Sequence, residues 1–466
     1  MHRLLRATLR SPVVLAFGLL AVAAAGCGDD VPSGNDGDEG ADGATSTATG
    51  DDAGPATGDD GVAASVNYYK DIKPILDGRC ATCHSVDGIA PFPLLTYADA
   101  VEYGPSSVPS VLEKTMPPWP PNDDCATHVA NRSLNDEQID VFMEWIDLGM
   151  PEGDPAEEGA PMDPPSPGLT RIDKTLSMPT EYSVTQSPDD YRCFLIPWPE
   201  EYTTTQYVSG FGADPGNDKT VHHIIAFLAG PEDVAVYEEM DAAEDGPGYT
   251  CFGGTGGPSR TWLGGWAPGS AGSDLPEGLG IAVEPGSMIV LQVHYNALSL
   301  DAAPDLSSIN LKVEDSVEKE AFIVPFANPG WLAGGMRIPA GESDVMHEFS
   351  ADVSGFVGGD LTIYSSALHM HLLGTRAHLS IDRADGSNEC LLQIDDWDFA
   401  WQGSYGYESG PKRVTEGDEV RIECHYDNSP ENQPLIGGER GDPVDVGWGE
   451  GTHEEMCLGV MLATVD

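Results

Sequence analysis

Apolar positions change their rhythm several times along the chain, and each change marks an element. Residues 13–25 form one apolar run, preceded by Arg3, Arg6 and Arg10 and closed by Ala24-Ala25-Gly26-Cys27. Over 28–62 the apolar pattern gives way to Gly, Ala, Thr, Ser and Asp. Tyr69, Ile72, Ile75, Leu76 and Cys80 then recur at helical spacing. Leu134-Asn135-Asp136-Glu137-Gln138-Ile139 predicts a second helix start, with Asn135 as N-cap, Gln138 at N3 and a Leu134-to-Ile139 staple. Ile139, Phe142, Met143 and Ile146 give that helix an apolar face, and Gly149 ends it. From about residue 170 the pattern becomes short β-rich runs, at 221–228, 288–295, 322–324, 361–368 and 420–425, separated by Gly, Pro and Asp clusters. The predicted architecture is a small all-α domain followed by two all-β sandwich subdomains.

The segments divide as a leader over 1–27, a tether over 28–65, a helical domain over 66–155, a Pro-rich linker over 156–170, and sandwich subdomains over 171–305 and 306–466. The 466 residues carry 77 Asp and Glu against 22 Lys and Arg, a formal charge of −55. So acidic a surface repels phosphate backbones, which excludes nucleic acid as a partner. Apolar residues at 40% still provide for sizeable cores.

The basic start, apolar run and small residues are those of a signal peptide. The residues before Cys27 resemble a bacterial lipobox, which implies a chain exported to the periplasm or cell surface and held at a membrane by acylated Cys27. The tether has ten acidic residues, no basic one and no aromatic, and buries no core. Export opens an oxidising compartment to the other cysteines.

Cys80-Ala81-Thr82-Cys83-His84 is a C-x-x-C-H run, in which Cys80 and Cys83 form thioethers with haem vinyl groups and His84 ligates the iron. Helix, haem motif and closing helix in this order resemble a small class I cytochrome c. Met116, held between Thr115 and two prolines, is the leading sixth ligand, with Met150 and His128 as alternatives and Met143 assigned to the core.

Histidines gather on the predicted strands. His369 and His371 are at i and i+2 and share a strand face, whereas the adjacent His222 and His223 meet at one ion only at a bulge or a strand end. His294 and Met456 complete the set. "VHHIIAF", "LQVHY", "HMHLLG" and "EEMC", in this order, resemble the core of the copper type II ascorbate-dependent monooxygenases. The resemblance covers about 175–466 and implies a first copper on His222, His223 and His294, and a second, oxygen-activating copper on His369, His371 and Met456. It further implies Cys193–Cys251 and Cys424–Cys457 disulfides, with Gln292 and Tyr191 near the first copper. Imidazoles suit both copper states, and a thioether favours Cu(I). Cys125 and Cys390 are left without an assigned partner.

Peptide-hydroxylating members hold a substrate carboxylate with an Arg, an Asn and a Tyr where this chain has Ala367, Leu458 and Val460. A glycine-extended peptide is therefore not the expected substrate; a small neutral or apolar molecule is, together with O2 and an electron donor, ascorbate or a redox protein. Arg376 and Arg337 are the candidates for a replacement clamp, Asp395, Asp396, Asp398 and Glu408 for an amine site, and His347, His378, His425 and His453 read as structural or exposed. The expected activity is C–H hydroxylation with electrons reaching copper through the haem. The rival expectations are a non-catalytic haem and copper electron carrier and a copper-binding lipoprotein.

Overall fold

The computed structural model describes residues 66–86, 90–163, 168–252, 254–259, 261–268, 270–297, 302–436 and 439–466. The leader, acylated Cys27 and the tether expected over 1–65 lie outside the described residues.

The first described part is helical. A π turn at Tyr68–Ile72 runs into the helix Lys73–Arg79, and helices Tyr97–Leu112 and Asp136–Asp147 follow. Asn135 accepts the Gln138 N–H at 2.9 Å while the Gln138 side chain accepts the Asn135 N–H at 3.0 Å, the reciprocal cap that the sequence predicts. Tyr68, Ile72, Leu76, Phe142 and Trp145 form the core. The Tyr97–Leu112 helix has no sequence expectation behind it, because Pro105 and Pro109 interrupt its interior and each removes an N–H. The chain expected to act as a linker after 155 is laid back on this core as far as residue 163. Gly159 N–H donates to the Tyr69 carbonyl at 3.0 Å, Glu158 pairs with Lys73 at 2.9 Å, and Met162 packs on Gly78. A Cβ at Gly159 would stand 2.0 Å from the Lys70 carbonyl oxygen, so glycine permits the approach.

Two β-sandwiches follow. In the first, a sheet ordered Tyr249–Thr250, Asp189–Pro197, Met288–Asn296, Val221–Ala229, Thr261–Trp266 faces a sheet that includes Lys174–Ser177, Ser308–Glu314, Gln206–Asp214 and Leu279–Val283. Ile224, Leu291 and Val293 from one sheet and Val208, Ile281 and Ile309 from the other close the core. The second sandwich packs the sheet Phe322–Phe326, Leu458–Val465, Leu361–His369, Tyr405–Gly406 against Val345–Ala351, Glu419–Tyr426, Gly374–Asp382, Asn388–Ile394. Leu462 of the last strand is buried in the first sandwich's core, while its neighbours Met461 and Ala463 belong to the second. That one strand therefore joins the two halves by the period-two alternation of its side chains.

The stretch between the second and third helices leaves the helical part and joins the second sandwich. Pro121 bridges to Ile394 and His128 to Tyr407, Asn122 N–H donates to Gln393, and Cys125 forms a disulfide with Cys390. Two cysteines without a sequence-based partner thus meet each other. Among the described residues no helix is long and apolar enough to cross a membrane.

Candidate metal centres

The first ligand set is built across three strands. Register places Tyr191 opposite His294, and His294 opposite His223. The pairing of Val221–Ala229 with Met288–Asn296 shifts between Val221 and His223, so His222 occupies a bulge. That extra residue turns an imidazole that would face away toward its neighbour's side. The nearest ligand atoms of His222, His223 and His294 all lie within 4.8 Å of one another, with His223 Nδ1 and His294 Nδ1 3.3 Å apart.

These imidazoles are held neutral. Burial, then His294, pushes His222 down to about 4, and burial also takes His223 well below the ordinary histidine value. His294 Nε2 stands 2.8 Å from the Asp189 carboxylate, to which it donates, leaving Nδ1 as a lone pair toward His223. Asp189 also accepts from Thr452 of the second sandwich at 2.7 Å, and Tyr191 stacks on His294 at 4.0 Å and 8°. His222 Nδ1 is buried with no hydrogen-bond partner. An orphaned buried nitrogen is costly, and a metal ion relieves that cost. Gln292 instead donates to the Cys251 carbonyl at 2.8 Å, bracing the loop that the Cys193–Cys251 disulfide closes.

The second set lies where Leu361–His369 ends. His369 and His371 bring their Nε2 atoms to 3.2 Å. Each Nδ1 is already engaged: His369 with the Gln402 side-chain oxygen and His371 with the Glu454 carbonyl at 3.0 Å, which leaves both Nε2 lone pairs free for a cation. Burial, then His369, drives His371 down to about 3. Leu458 pairs with His369 across the strands, which brings buried Met456 to within two residues of that register. Tyr426 donates its hydroxyl to the Met456 carbonyl at 2.7 Å, and Cys457 is tied to Cys424. Glu455, part of the EEMC run but given no role by the sequence, is buried and accepts the N–H groups of His371, Leu373 and Met456 at 2.9, 2.6 and 3.3 Å. Burial pushes its carboxyl up to about 8 although those N–H donors pull the other way.

Beside this set, Ala367 pairs with Val460 and His369 with Leu458, an apolar wall. Arg337 is spent on Asp445, and Arg376 on Asp344 and His425. Asp395 holds Asn122 and Gln393, and Asp398 accepts the Ala400 N–H. His347 binds the Arg337 carbonyl, His378 lies 3.0 Å from Cys390 Sγ, and His453 is exposed.

In the helical part, Cys80 follows the first helix, and His84 N–H returns to the Cys80 carbonyl at 2.9 Å. His84 Nδ1 is 3.0 Å from the Phe92 carbonyl, so Nε2 is the open nitrogen. The Cys80 and Cys83 thiols are not joined, and burial raises both, Cys80 to about 12. A cavity of about 660 Å3 has Ser85, Phe92 and Pro93 on one wall and Lys219, Thr220 and His222 on the other. His128 is buried with Nε2 on the Leu391 carbonyl and its ring near Tyr405 and Tyr407, which ties it to the second sandwich and leaves it a poor candidate for an iron ligand. Met116 lies half-buried at the exit of the second helix, and Met150 and Met143 pack on the helical core. Met162 is a further thioether there.

Paired sandwiches, each carrying one close cluster of histidines braced by further hydrogen bonds, are the architecture in which these residues sit. Models of the copper type II ascorbate-dependent monooxygenase match the chain, the N-terminal domain over residues 176–302 and the C-terminal domain over 333–462. Together they span more than half of the chain, which belongs to that family. "Putative DBH-like monooxygenase protein 2" of Homo sapiens is 23% identical over 295 residues, 60% of this chain and 54% of that protein. "DBH-like monooxygenase protein 2" of Mus musculus is 24% identical over 261 residues, 52% of this chain and 38% of that one. The chain thus spans about half or less of the curated relatives it matches. The major capsid protein P2 of bacteriophage PM2 aligns at TM-score 0.24 and 11% identity over 63% of this chain and 97% of that one, too distant to carry an argument. The disulfides suit a secreted or extracellular protein.

Proposed function

We propose that the chain is an exported copper monooxygenase that hydroxylates a C–H bond of a small neutral or apolar molecule, with electrons entering through haem on the helical part. R–H, O2, two electrons and two protons give R–OH and water. Bound copper supplies reversible one-electron chemistry and oxygen activation. His222, His223 and His294 would hold one copper, for electron storage, and His369, His371 and Met456 would hold the other, for oxygen activation. The observation that carries the reading is the paired approach of neutral imidazoles, 3.3 Å in one set and 3.2 Å in the other. Ala367, Leu458 and Val460 give the substrate an apolar wall without an anion clamp.

Cys80, Cys83 and His84 would hold a haem, which would supply one-electron chemistry, with ascorbate or a redox protein as the donor. Supporting this are the His84 bond to Phe92, which leaves Nε2 free to hold an iron, and the cavity shared by Phe92 and His222. Met116 is proposed as the second iron ligand, and acylated Cys27 as the membrane anchor.

The test is the copper-to-iron ratio of haem-loaded, copper-reconstituted protein, with the Met456→Ala variant beside it. A ratio of about two that falls to about one in the variant, with O2 uptake under reductant, supports the enzyme. A ratio of about one that ignores Met456 moves the reading to an electron carrier or a copper-binding lipoprotein. Stopped-flow mixing of reduced haem with oxidised copper protein tests the relay: haem oxidation without copper reduction removes it.

A further inference from the structure

The loop 395–404, between strands Asn388–Ile394 and Tyr405–Gly406, touches both ligand sets. The Phe399 ring lies against His222 with centroids 4.8 Å apart and planes 17° apart, and its other neighbour is His371, met edge-on at 5.8 Å and 82°. One half-buried side chain therefore contacts a ligand of the first set and a ligand of the second.

The loop is pinned by the second set itself. Trp397 donates its indole N–H to the His371 carbonyl at 3.1 Å and its backbone N–H to Thr375 at 2.8 Å. The two ends of the Gln402 amide work in opposite directions: the oxygen accepts from His369 Nδ1 and the nitrogen donates to the Phe399 carbonyl at 2.8 Å. Trp401 and Gln402 also border a small crevice with Pro118 and Arg132 of the segment fastened by Cys125–Cys390. His369, His371 and the loop thus fix the backbone from which Phe399 reaches His222. Stacked and edge-on aromatic contacts are the two favoured geometries, and Phe399 makes one with each set.

We propose that Phe399 is the positioning residue that joins the two sites, fixing the separation of the His222 and His371 rings and keeping water out of the gap between them. In the reaction one electron leaves the His222 side and arrives on the His371 side, the first site oxidised by one electron and the second reduced by one. A rigid apolar ring holds that path at one length and spares it the solvent reorganisation of a wet gap. This inference rests on the two-copper reading above.

The experiment uses the full chain, copper-loaded, as wild type, Phe399→Leu and Phe399→Tyr. Copper content and the EPR signal of each site report the ligand sets, mutual dipolar broadening reports their separation, and stopped-flow reduction by ascorbate reports transfer between them. Both variants are expected to keep the wild-type copper content and single-site signals. Phe399→Leu is expected to lose the broadening and to slow the second reduction phase by about tenfold or more, and Phe399→Tyr to restore both. In the metal-free protein the upfield ring-current shift of the His222 carbon-bound protons is expected to vanish in the Leu variant only. Broadening and a second phase within about twofold of wild type in Phe399→Leu overturn the role of Phe399 while leaving the copper reading intact. A wild-type protein that holds fewer than two coppers overturns the copper reading, and this inference with it.

Discussion

Glu455 accepts the backbone N–H of His371 at 2.9 Å from a position adjoining Met456, whose own N–H it accepts at 3.3 Å. One buried carboxyl therefore ties together two residues that lie just beyond the ends of different strands. Removing it leaves those N–H groups unpaired in the interior. Glu455→Ala is expected to weaken copper at the second site by about 10- to 100-fold without changing the first, and Glu455→Gln by less. Equilibrium dialysis with elemental analysis measures this; equal losses at both sites would contradict it.

Asp189 fixes the tautomer of His294 and also accepts from Thr452, so it braces the first histidine cluster and takes part in the contact between sandwiches. Asp189→Asn can present its amide nitrogen to His294 Nε2, which turns an attraction into a clash of donors. First-site copper affinity is expected to fall by about 10- to 100-fold while the second site keeps its ion. Thr452→Val removes only one of the bonds to Asp189 and is expected to fall between Asp189→Asn and wild type in a copper titration.

The Cys125–Cys390 disulfide closes a separation of 265 residues, between the helical part and the Asn388–Ile394 strand. Cross-links over long loops remove much denatured-state freedom, typically about 2–5 kcal/mol for a native bridge. Cys125→Ser with Cys390→Ser is expected to lower the unfolding free energy by that order, read from a denaturant titration, and to expose the segment around residue 122 to protease. His128 packing between Tyr405 and Tyr407 should keep the remaining contact alive at low temperature.

Asp418 gives a pH signature away from either metal set. Burial alone would raise its carboxyl, yet N–H donation from Thr415 and Ala384 and pairing with Arg383 outweigh it and hold the group at about 2. A folded value below the unfolded one stabilises above the unfolded carboxylate range, near pH 4, and that stabilisation is lost as pH falls through about 2. Thermal melts between about pH 4 and about pH 2 should show a loss on the order of 1 kcal/mol from this group, allowing for solvent screening. Asp418→Asn should be less stable at neutral pH and should lack that part of the acid slope.

The candidate histidines stood out in the sequence because histidine is scarce and its chemistry is narrow. His369 ends its strand and His371 lies just beyond it, so their approach owes more to the chain's exit than to strand alternation, whereas His222 meets the stated condition that adjacent histidines need a bulge. Their supports were hidden for definite reasons. Glu455 and Asp189 are two acids among 77, so their type carries no signal. Gln402 and Phe399 lie in a loop without periodicity. The Tyr97–Leu112 helix was masked by its internal prolines, and the segment holding Trp119, Cys125 and His128 has no amphipathic period to show that it pairs with strands. Cys125 and Cys390 needed the fold itself, because nothing local relates residues so far apart.

The same long bridge places a clock in the chain. Synthesis runs from the N-terminus, so Cys80, Cys83 and His84 emerge well before Cys390 exists. Until that strand is made, the stretch from Trp119 to Val129 has no sheet edge to join. The C-x-x-C-H run therefore leaves the ribosome well before the strand that fastens the segment downstream of it, and the bridge at residue 125 waits on residue 390.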